Sequence, residues 1–487
     1  MLNESITQST NEGNGANQKK YTNSTKFIIG VCALAGQPVD ELASKSGMNR
    51  SYIYEQKEKA KDYVDSLDMD DEPLRAQVIV LTKQVLKRLI LSMALDCASS
   101  IDGIKRALEM SFGIKVSTGY ISGVINEAAQ RAQEFDGTIN LESIRQGAND
   151  EIFQCGTPIL TGIDPITSYI YLLEEGKDRT SETWQIYMED CISRGLQLET
   201  SINDGGTGLN AGIQKAYPGI IIQSDTFHPL YEMGKEISKA ERKAVSAINA
   251  EEELEKRLQG PRPQQRTKDK LEKTKQTTNE AISIYDTLFI LFCWLQELLG
   301  FSGYSLPETI GLIMFVLEEM KKVSAKFPGI GKEAEKIKNM LPSLLSYISR
   351  LEKAFESCAA LNGIPIEAFR AMYRQLAYNE QSNEFYEIEY ALWDMLKDNY
   401  VTARALFAQQ LKTVKKASSL VENLNGRIRK YIDIKRVVPT KFFTLMKVYF
   451  NMRRYHRSRC PERIGKSPLE LLIGEPHAGF FETLGYC

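Results

Sequence analysis

The chain is poor in the residues that build metal-clipped or disulfide-stapled domains. Only three histidines occur among 487 residues, and the eight cysteines (Cys32, Cys97, Cys155, Cys191, Cys293, Cys358, Cys460 and Cys487) include no CxxC pair. That pattern excludes a zinc ribbon or a disulfide framework and suits thiols of a reducing compartment. Long apolar runs are also missing. The longest, 288–295 with an extension to Phe301, is interrupted by Gln296 and Glu297, short of the ~20 apolar residues that a bilayer span requires. A buried helix is the expectation there. Residues 1–25 are mostly Asn, Ser, Thr, Gly and Gln with no apolar core, so they read as a flexible tail rather than a secretory signal. A cytoplasmic protein without a membrane partner is therefore expected. A strong charge of one sign is absent too: 61 Lys and Arg oppose 63 Asp and Glu. What is present is 43% hydrophobic residues, enough for a packed core in roughly three domains of ~150 residues each.

Residues 26–64 read as helical, with a helix-turn-helix cadence inside 37–60. Leu42 and Ala43 lie on one helix, Gly47 marks the turn, and Met48, Tyr52 and Tyr54 follow. Glycine belongs where a tight turn takes φ > 0, and the second helix of such a pair can enter a major groove. Arg50, Ser51 and Tyr52 are the candidate groove contacts, although a helical hairpin of this look need not touch DNA. A second copy of the idea follows: an apolar-patterned helix over 72–98, a cap at Ser99 or Ser100, then Ile104, Leu108 and Phe112 leading to Gly113. The next helix starts at Ser117 and carries Tyr120, which with Ser117 forms a second candidate DNA contact.

After Asn140 the pattern turns β-like. Strands are expected over 150–155, 158–164 and 168–173, then a helix over 180–194, a strand over 196–203, a helix over 206–217 and a strand over 220–223. The order is β-β-β-α-β-α-β. From Pro229 to about Gln410 the β signals vanish. Two charged helices flank Gly260 and the prolines at 261 and 263, suggesting a folded-back pair, and further helices run to Gln410 with breaks near 300–307 and 329–331.

The end of the chain reverses the impression of neutrality. Between Arg404 and Lys466 there are 17 Lys or Arg but only three acids, Glu422, Asp433 and Glu462, interleaved with aromatics. Such a segment suits a phosphate backbone, with Arg427, Lys430, Arg453 and Arg454 as candidate contacts. A merely solvated basic face is the plainer alternative.

Three carboxylates have settings that allow chemistry. Asp150 opens the first expected strand, and Asp204 ends the fourth at an Asn-Asp-Gly-Gly turn. If those strands are neighbours, the two carboxylates converge at one sheet edge. Glu422 lies on a helix with apolar positions at Leu411, Val414, Val421, Leu424 and Ile428, while Ser418, Glu422, Asn425 and Arg429 follow one polar stripe beside them. Hard oxygen ligands from separate elements suit Mg²⁺ or Mn²⁺, and two such ions can drive in-line displacement at phosphorus. Glu151 neighbours Asp150 but faces the other side of a strand. Asp164 is an alternative first acid, with Pro165 favouring a turn role. Asp225 and His228 close the fifth strand, where a cap opening the next helix is one reading. Trp184, Trp294 and Trp393 are expected in the core, with base stacking as the alternative.

The segment Asn149-Asp150-Glu151-Ile152-Phe153, the strands over 158–164 and 169–173, and Ile202-Asn203-Asp204-Gly205 resemble the first part of DDE transposases of bacterial insertion sequences. The run Val421-Glu422-Asn423-Leu424-Asn425-Gly426-Arg427-Ile428-Arg429, then 442–455 and Gly465-Lys466-Ser467-Pro468-Leu469, is similar to their glutamate helix and C-terminal ending. The resemblance covers about 145–230 and 410–475. It implies an α/β RNase H-like core with a mixed five-stranded sheet, interrupted by an all-α insertion and preceded by an all-α helix-turn-helix region. It also implies that Asp150, Asp204 and Glu422 hold two Mg²⁺ or Mn²⁺ ions, with Asp225, His228, Asn425 and Arg429 around them. The second and third acids are 218 positions apart, a gap that the helical insertions of hAT-like transposases also produce. The expected organisation is a tail at 1–25, helix-turn-helix domains at 26–66 and 67–140, catalytic parts at 141–228 and 411–440, an insertion at 229–410 and a basic region at 441–487.

The function so implied is a transposase that binds the terminal inverted repeats of a mobile element in double-stranded DNA. It would cut and join strands at element ends and target, acting as a homodimer or higher oligomer. The alternative is a transposase-derived regulator or structural protein that binds DNA without cleaving it. A helical scaffold that binds only proteins leaves the basic segment without a role.

Overall fold

The computed structural model describes residues 21–65, 81–260, 264–323, 325–416, 419–458 and 460–486. Most of the expected 1–25 tail, the first part of the helix expected over 72–98, the turn at 261–263 and Ser418 lie outside the described residues. The chain divides into two compact units, one of residues 1–125 with 478–487 and one of residues 126–477.

In the first unit the region expected to be helical over 26–64 is three helices, α1 (Asn23–Leu34), α2 (Val39–Ser46) and α3 (Arg50–Asp65). Gly47 ends α2 at φ 70°, a conformation that a side chain at Cβ resists, and the chain turns directly into α3. Ile29, Ala33, Leu42, Met48 and Ile53 form the core of this bundle, with Tyr52 packed against it. Next come α4 (Lys83–Leu95), α5 (Ile101–Phe112) and α6 (Thr118–Asp136), the last of which runs on into the second unit. Ser100 caps α5 by accepting from Gly103 N at 3.1 Å. Ile104 and Leu108 are buried, whereas Phe112, expected on the same face, is exposed at the helix end.

The second unit is mixed α/β. Its strands are β1 (Gln146–Gln154), β2 (Thr157–Ile163) and β3 (Ile170–Glu175), followed by α7 (Ser181–Ser193), β4 (Thr200–Asn203), α8 (Thr207–Ala216) and β5 (Ile221–Ser224). The five strands form one sheet in the order β3-β2-β1-β4-β5, antiparallel across the first three and parallel from β1 to β4 to β5. β1 begins four residues before the expected start because Gln146, Gly147 and Ala148 pair with Thr200, Ser201 and Ile202, a long-range ladder without a local signal. The centre of the sheet is pinned by Tyr171. Its ring fills the space over Gly147 and Gly162, where a Cβ would come within 2.3 and 2.4 Å of it. Its hydroxyl donates to Asn149 Oδ1 at 2.5 Å, and Asn149 Nδ2 donates to Ser201 Oγ at 3.0 Å. Strand β1 is thereby tied across β2 to β3 and directly to β4.

Beyond β5 the described residues up to β-free position 416 form helices α9 (Phe227–Leu258), α10 (Gln265–Leu298), α11 (Leu306–Lys321), α12 (Pro328–Leu344), α13 (Ser346–Asn362), α14 (Ile366–Gln375), α15 (Asn383–Leu396) and α16 (Tyr400–Thr413). The break expected at 329–331 instead precedes Pro328, which occupies the first turn of α12, where a missing N–H costs nothing. These helices share one core, which includes Leu288, Leu295, Ile313, Leu317, Ile337, Leu351, Phe369 and Met372. The block covers the β5 edge through α12 and α13. Gln223 donates to Leu344 O at 2.9 Å and accepts from Ser346 Oγ at 2.6 Å, so the exposed ladder of an edge strand is blunted. By length and composition α10 is apolar enough to cross a membrane, yet Leu288, Leu291, Leu295 and Leu298 pack into the helical core. Trp184 is fully buried, but Trp294 and Trp393 are 49% and 63% exposed, which corrects the core placement expected for them.

The chain then returns to the sheet with α17 (Ser419–Lys435), α18 (Thr440–Met452) and α19 (Pro468–Ile473). α17 packs on β1 and β2, and α18 on β3. Asn451 of α18 accepts from Ile170 N at 2.8 Å and donates to Ile170 O at 2.9 Å, closing the opposite edge. The single helix expected from Leu411 through Ile428 is two. Gln146 Nε2 binds Thr413 O at 2.7 Å and Arg350 binds Lys415 O at 2.6 Å, so tertiary partners take the carbonyls that would continue α16.

Candidate active site

The register of β1 and β4 determines where the first two acids lie. Ala148 is opposite Ile202, and the same parallel register carried two residues on sets Asp150 against Asp204. Asp150 stands in the middle of β1 rather than at its start, while Asp204 follows the last residue of β4. The turn after β4 is built from its own polar atoms. Asn203 Oδ1 accepts from Gly205 N at 2.9 Å, Asn203 Nδ2 donates to Asn210 Oδ1 at 2.8 Å, and Asp204 Oδ1 accepts from Gly206 N at 3.1 Å.

Asp150 faces α17. Asn425, fully buried on that helix, donates from Nδ2 to Asp150 Oδ2 at 2.5 Å, and its Oδ1 lies 3.1 Å from the Thr161 hydroxyl on β2. Glu151 points to the other face, as strand alternation requires. There it accepts from Trp184 Nε1 at 3.3 Å, with Arg179 at 3.7 Å. Asp164 is committed to its turn, accepting from Ile166 N and Thr167 N at 3.0 Å each.

One turn before Asn425, the same helix presents Glu422 towards the end of β5. His228 Nε2 lies 3.5 Å from Glu422 Oε1, and His228 Nδ1 lies 3.0 Å from Asp225 Oδ2. The Asp225 side chain is completely buried, whereas those of His228 and Glu422 are 39% and 30% exposed. Asp225 Oδ2 also accepts from His228 N at 3.2 Å, so this carboxylate holds both the first turn of α9 and the imidazole that follows it.

The electrostatics follow from this crowding. Burial pushes the Asp150 carboxyl up to about 7, the Glu151 N–H opposes that rise, and the charges of Asp204, Glu422 and Glu151 add to it. The hydrogen bond with Asp225 raises the His228 imidazole, partly offset by burial. Among the described residues no group of three or more His, Cys, Asp or Glu side chains is arranged to hold a metal ion as it stands. The carboxylates are instead engaged by Asn425, Gly206 N and His228. In chemistry the donor set still fits a hard divalent cation: oxygen ligands from three elements, one of them buried and destabilised by the others.

The remaining candidates are distributed differently. Arg429 and Lys430 are exposed on α17, and Arg453 is exposed after α18. Arg427 lies 3.8 Å over the Phe450 ring and is half-buried. Arg454 pairs with Glu470 at 2.5 Å, and Glu470 belongs to the capping box of α19. Part of the basic excess is thus internal. Lys447 is the extreme case, buried with Asp136 at 2.9 Å and Glu174 at 3.4 Å. In the first unit Arg50 pairs with Asp40 at 2.7 Å and Ser51 is exposed. Tyr52 is half-buried in the core, which reduces what it offers to a groove. Ser117 caps α6 by accepting from Tyr120 N at 3.0 Å, and the Tyr120 ring is exposed.

Sequence reasoning missed Gln146, Thr161, Tyr171 and Arg350, whose partners lie up to hundreds of residues away. Comparison with protein-family models finds no match to this chain, and comparison with curated proteins finds none either.

Proposed function

We propose that the chain is a DDE-type DNA transposase whose catalytic core is RNase H-like and carries an all-helical insertion. The observation behind this reading is geometric: the β1–β4 register sets Asp150 against Asp204, and α17, which carries Glu422, packs on β1 with Asn425 bonded to Asp150. The sheet supports it: three antiparallel strands followed by two parallel ones, with a glutamate-bearing helix against the first strand.

In this reading Asp150, Asp204 and Glu422 would hold two Mg²⁺ or Mn²⁺ ions, which when bound activate the attacking oxygen and stabilise the leaving oxygen of a phosphodiester. Asn425 favours the ionised form of Asp150, because its amide donates to the carboxylate. Arg429, Lys430 and Arg453 are exposed and would neutralise phosphates. The helix-turn-helix of α2 and α3, with Arg50 and Ser51, and the start of α6, with Ser117 and Tyr120, would read the terminal inverted repeats. Joining two ends of an element needs at least a homodimer.

The engagement of each acid by a protein neighbour favours a second reading, a non-catalytic DNA-binding regulator. Metal-dependent nicking separates the two. DNA with the flanking inverted repeats is incubated with Mg²⁺ and wild type, Asp204→Ala or Glu422→Gln. Cleavage by wild type that is lost in both variants, with DNA binding retained, supports the transposase. Binding without cleavage by wild type supports the regulator.

A further inference from the structure

We infer that the apolar face made by the start of α9 and the second half of α10 is the surface on which two copies of this chain pair, ridge to groove about a twofold axis. The inference makes no use of the acidic site. It goes beyond the transposase reading, which calls for two copies without saying where they meet.

The second half of α10 is apolar on more than its buried side. Leu288, Leu291, Leu295 and Leu298 fill the face packed into the helical core, yet on the rest of the helix surface Phe289, Ile290 and Trp294 are each about half exposed. Only 28% of the most apolar 18-residue stretch of α10 is buried, and a helix that is hydrophobic all round belongs in an interior. The start of α9 widens the exposed face with Phe227 and Tyr231, also half exposed and stacked with ring centroids 5.8 Å apart. Large side chains at half exposure offer ~100 Å² each, so these five give roughly 500 Å² per copy. With the partly buried residues around them, that approaches the ~800 Å² per partner of a stable interface, and a contiguous apolar patch of this size marks a contact surface.

Shape and charge select the occupant. Beside the ridge of Phe289, Ile290 and Trp294, a groove of about 500 Å³ runs between the two helices, lined by Tyr231, Gly234, Tyr285, Phe292 and Gln296, with Phe289 as the shared wall. A ridge next to a groove on one surface is self-complementary, because a twofold axis seats each copy's ridge in the other's groove. Phosphates find little to bind there. Lys235 is given to Glu232 at 2.6 Å and lies 4.4 Å over the Tyr231 ring, while Glu241 in the groove and Asp286 and Glu297 on α10 are exposed acids. The steps from Asp286 to Ile290 and on to Glu297 follow one side of the helix, so carboxylates bracket the ridge and repel a nucleic acid.

The test measures the mass of the full-length chain by sedimentation, without metal or DNA, from ~1 to ~50 μM, with thermal melts verifying that each variant is folded. Wild type is expected to pair in this range. Trp294→Asp and Ile290→Asp, which put a charge on the ridge, are expected to weaken pairing by at least ~30-fold, the effect of losing one central anchor. Trp294→Phe is expected to pair within several-fold of wild type, and Trp393→Asp, at the still more exposed indole of α15, to pair as wild type does. A wild type that stays monomeric, ridge variants that pair normally, or equal loss in Trp393→Asp would overturn the inference and leave the transposase reading to its own nicking assay. A monomer that floats with phospholipid vesicles, and fails to do so as Trp294→Asp, would give this face to a lipid surface and overturn the inference as well.

Discussion

Replacing Asp150 by asparagine should stabilise the protein while abolishing its proposed chemistry. The carboxyl ionises near 3.8 in an unfolded chain and near 7 in the folded one, chiefly through burial and then through Asp204 and Glu422. Below 3.8 both states carry the proton and the group contributes nothing. Between 3.8 and about 7 the unfolded state releases its proton first, so stability falls with rising pH, and the full loss is reached above 7. That difference corresponds to roughly 4 kcal/mol. Asparagine keeps the size and removes the charge, at the cost of one weakened hydrogen bond, about 1 kcal/mol. Asp150→Asn is therefore expected to match wild type near pH 4 to 5 and to exceed it by about 2–4 kcal/mol at pH 8. Urea unfolding followed by fluorescence measures the gap, since Trp184 is buried against the sheet and reports on this unit. Equal pH slopes for the two proteins, or a wild type more stable at pH 8, would refute the reasoning.

Gly162→Ala places a Cβ 2.4 Å from Tyr171 Cε2 and is expected to cost about 2–3 kcal/mol in urea unfolding. Lys447→Ala leaves the buried Asp136 and the partly exposed Glu174 without their shared cation, and a loss of about 2–4 kcal/mol is expected, softened at Asp136 by Arg194 at 2.9 Å. Arg429→Ala and Lys430→Ala should leave the circular dichroism spectrum unchanged. Each should lower the salt dependence of DNA binding by about one phosphate contact, and unaltered slopes would remove both from the DNA surface.

The order β-β-β-α-β-α-β was legible because each strand is short and bounded by turn residues, such as Cys155 and Gly156, both at positive φ between β1 and β2. Local pattern was also enough to put Asp150 and Glu151 on opposite faces and Gly47 and Gly113 at left-handed turns. What escaped the sequence depends on partners far along the chain. The start of β1 is set by β4, and the end of α16 by Gln146 and Arg350. Lys447 reads as one more charge in a basic run until its burial between two carboxylates is seen. Trp294 and Trp393 lie on the outer faces of amphipathic helices, and an indole by itself does not say which face is buried. The pairing of His228 with Glu422 has no signature in spacing, since the helices between them are many and the contact belongs to the fold.

The central claim is that Asp150, Asp204 and Glu422 act on the same divalent ions. Anomalous scattering from a crystal of the chain soaked in Mn²⁺ tests it most directly. The account predicts metal peaks with oxygen atoms of all three side chains at about 2.0–2.3 Å. Peaks that leave Glu422 unbound, or lie away from β1 and β4, would contradict it.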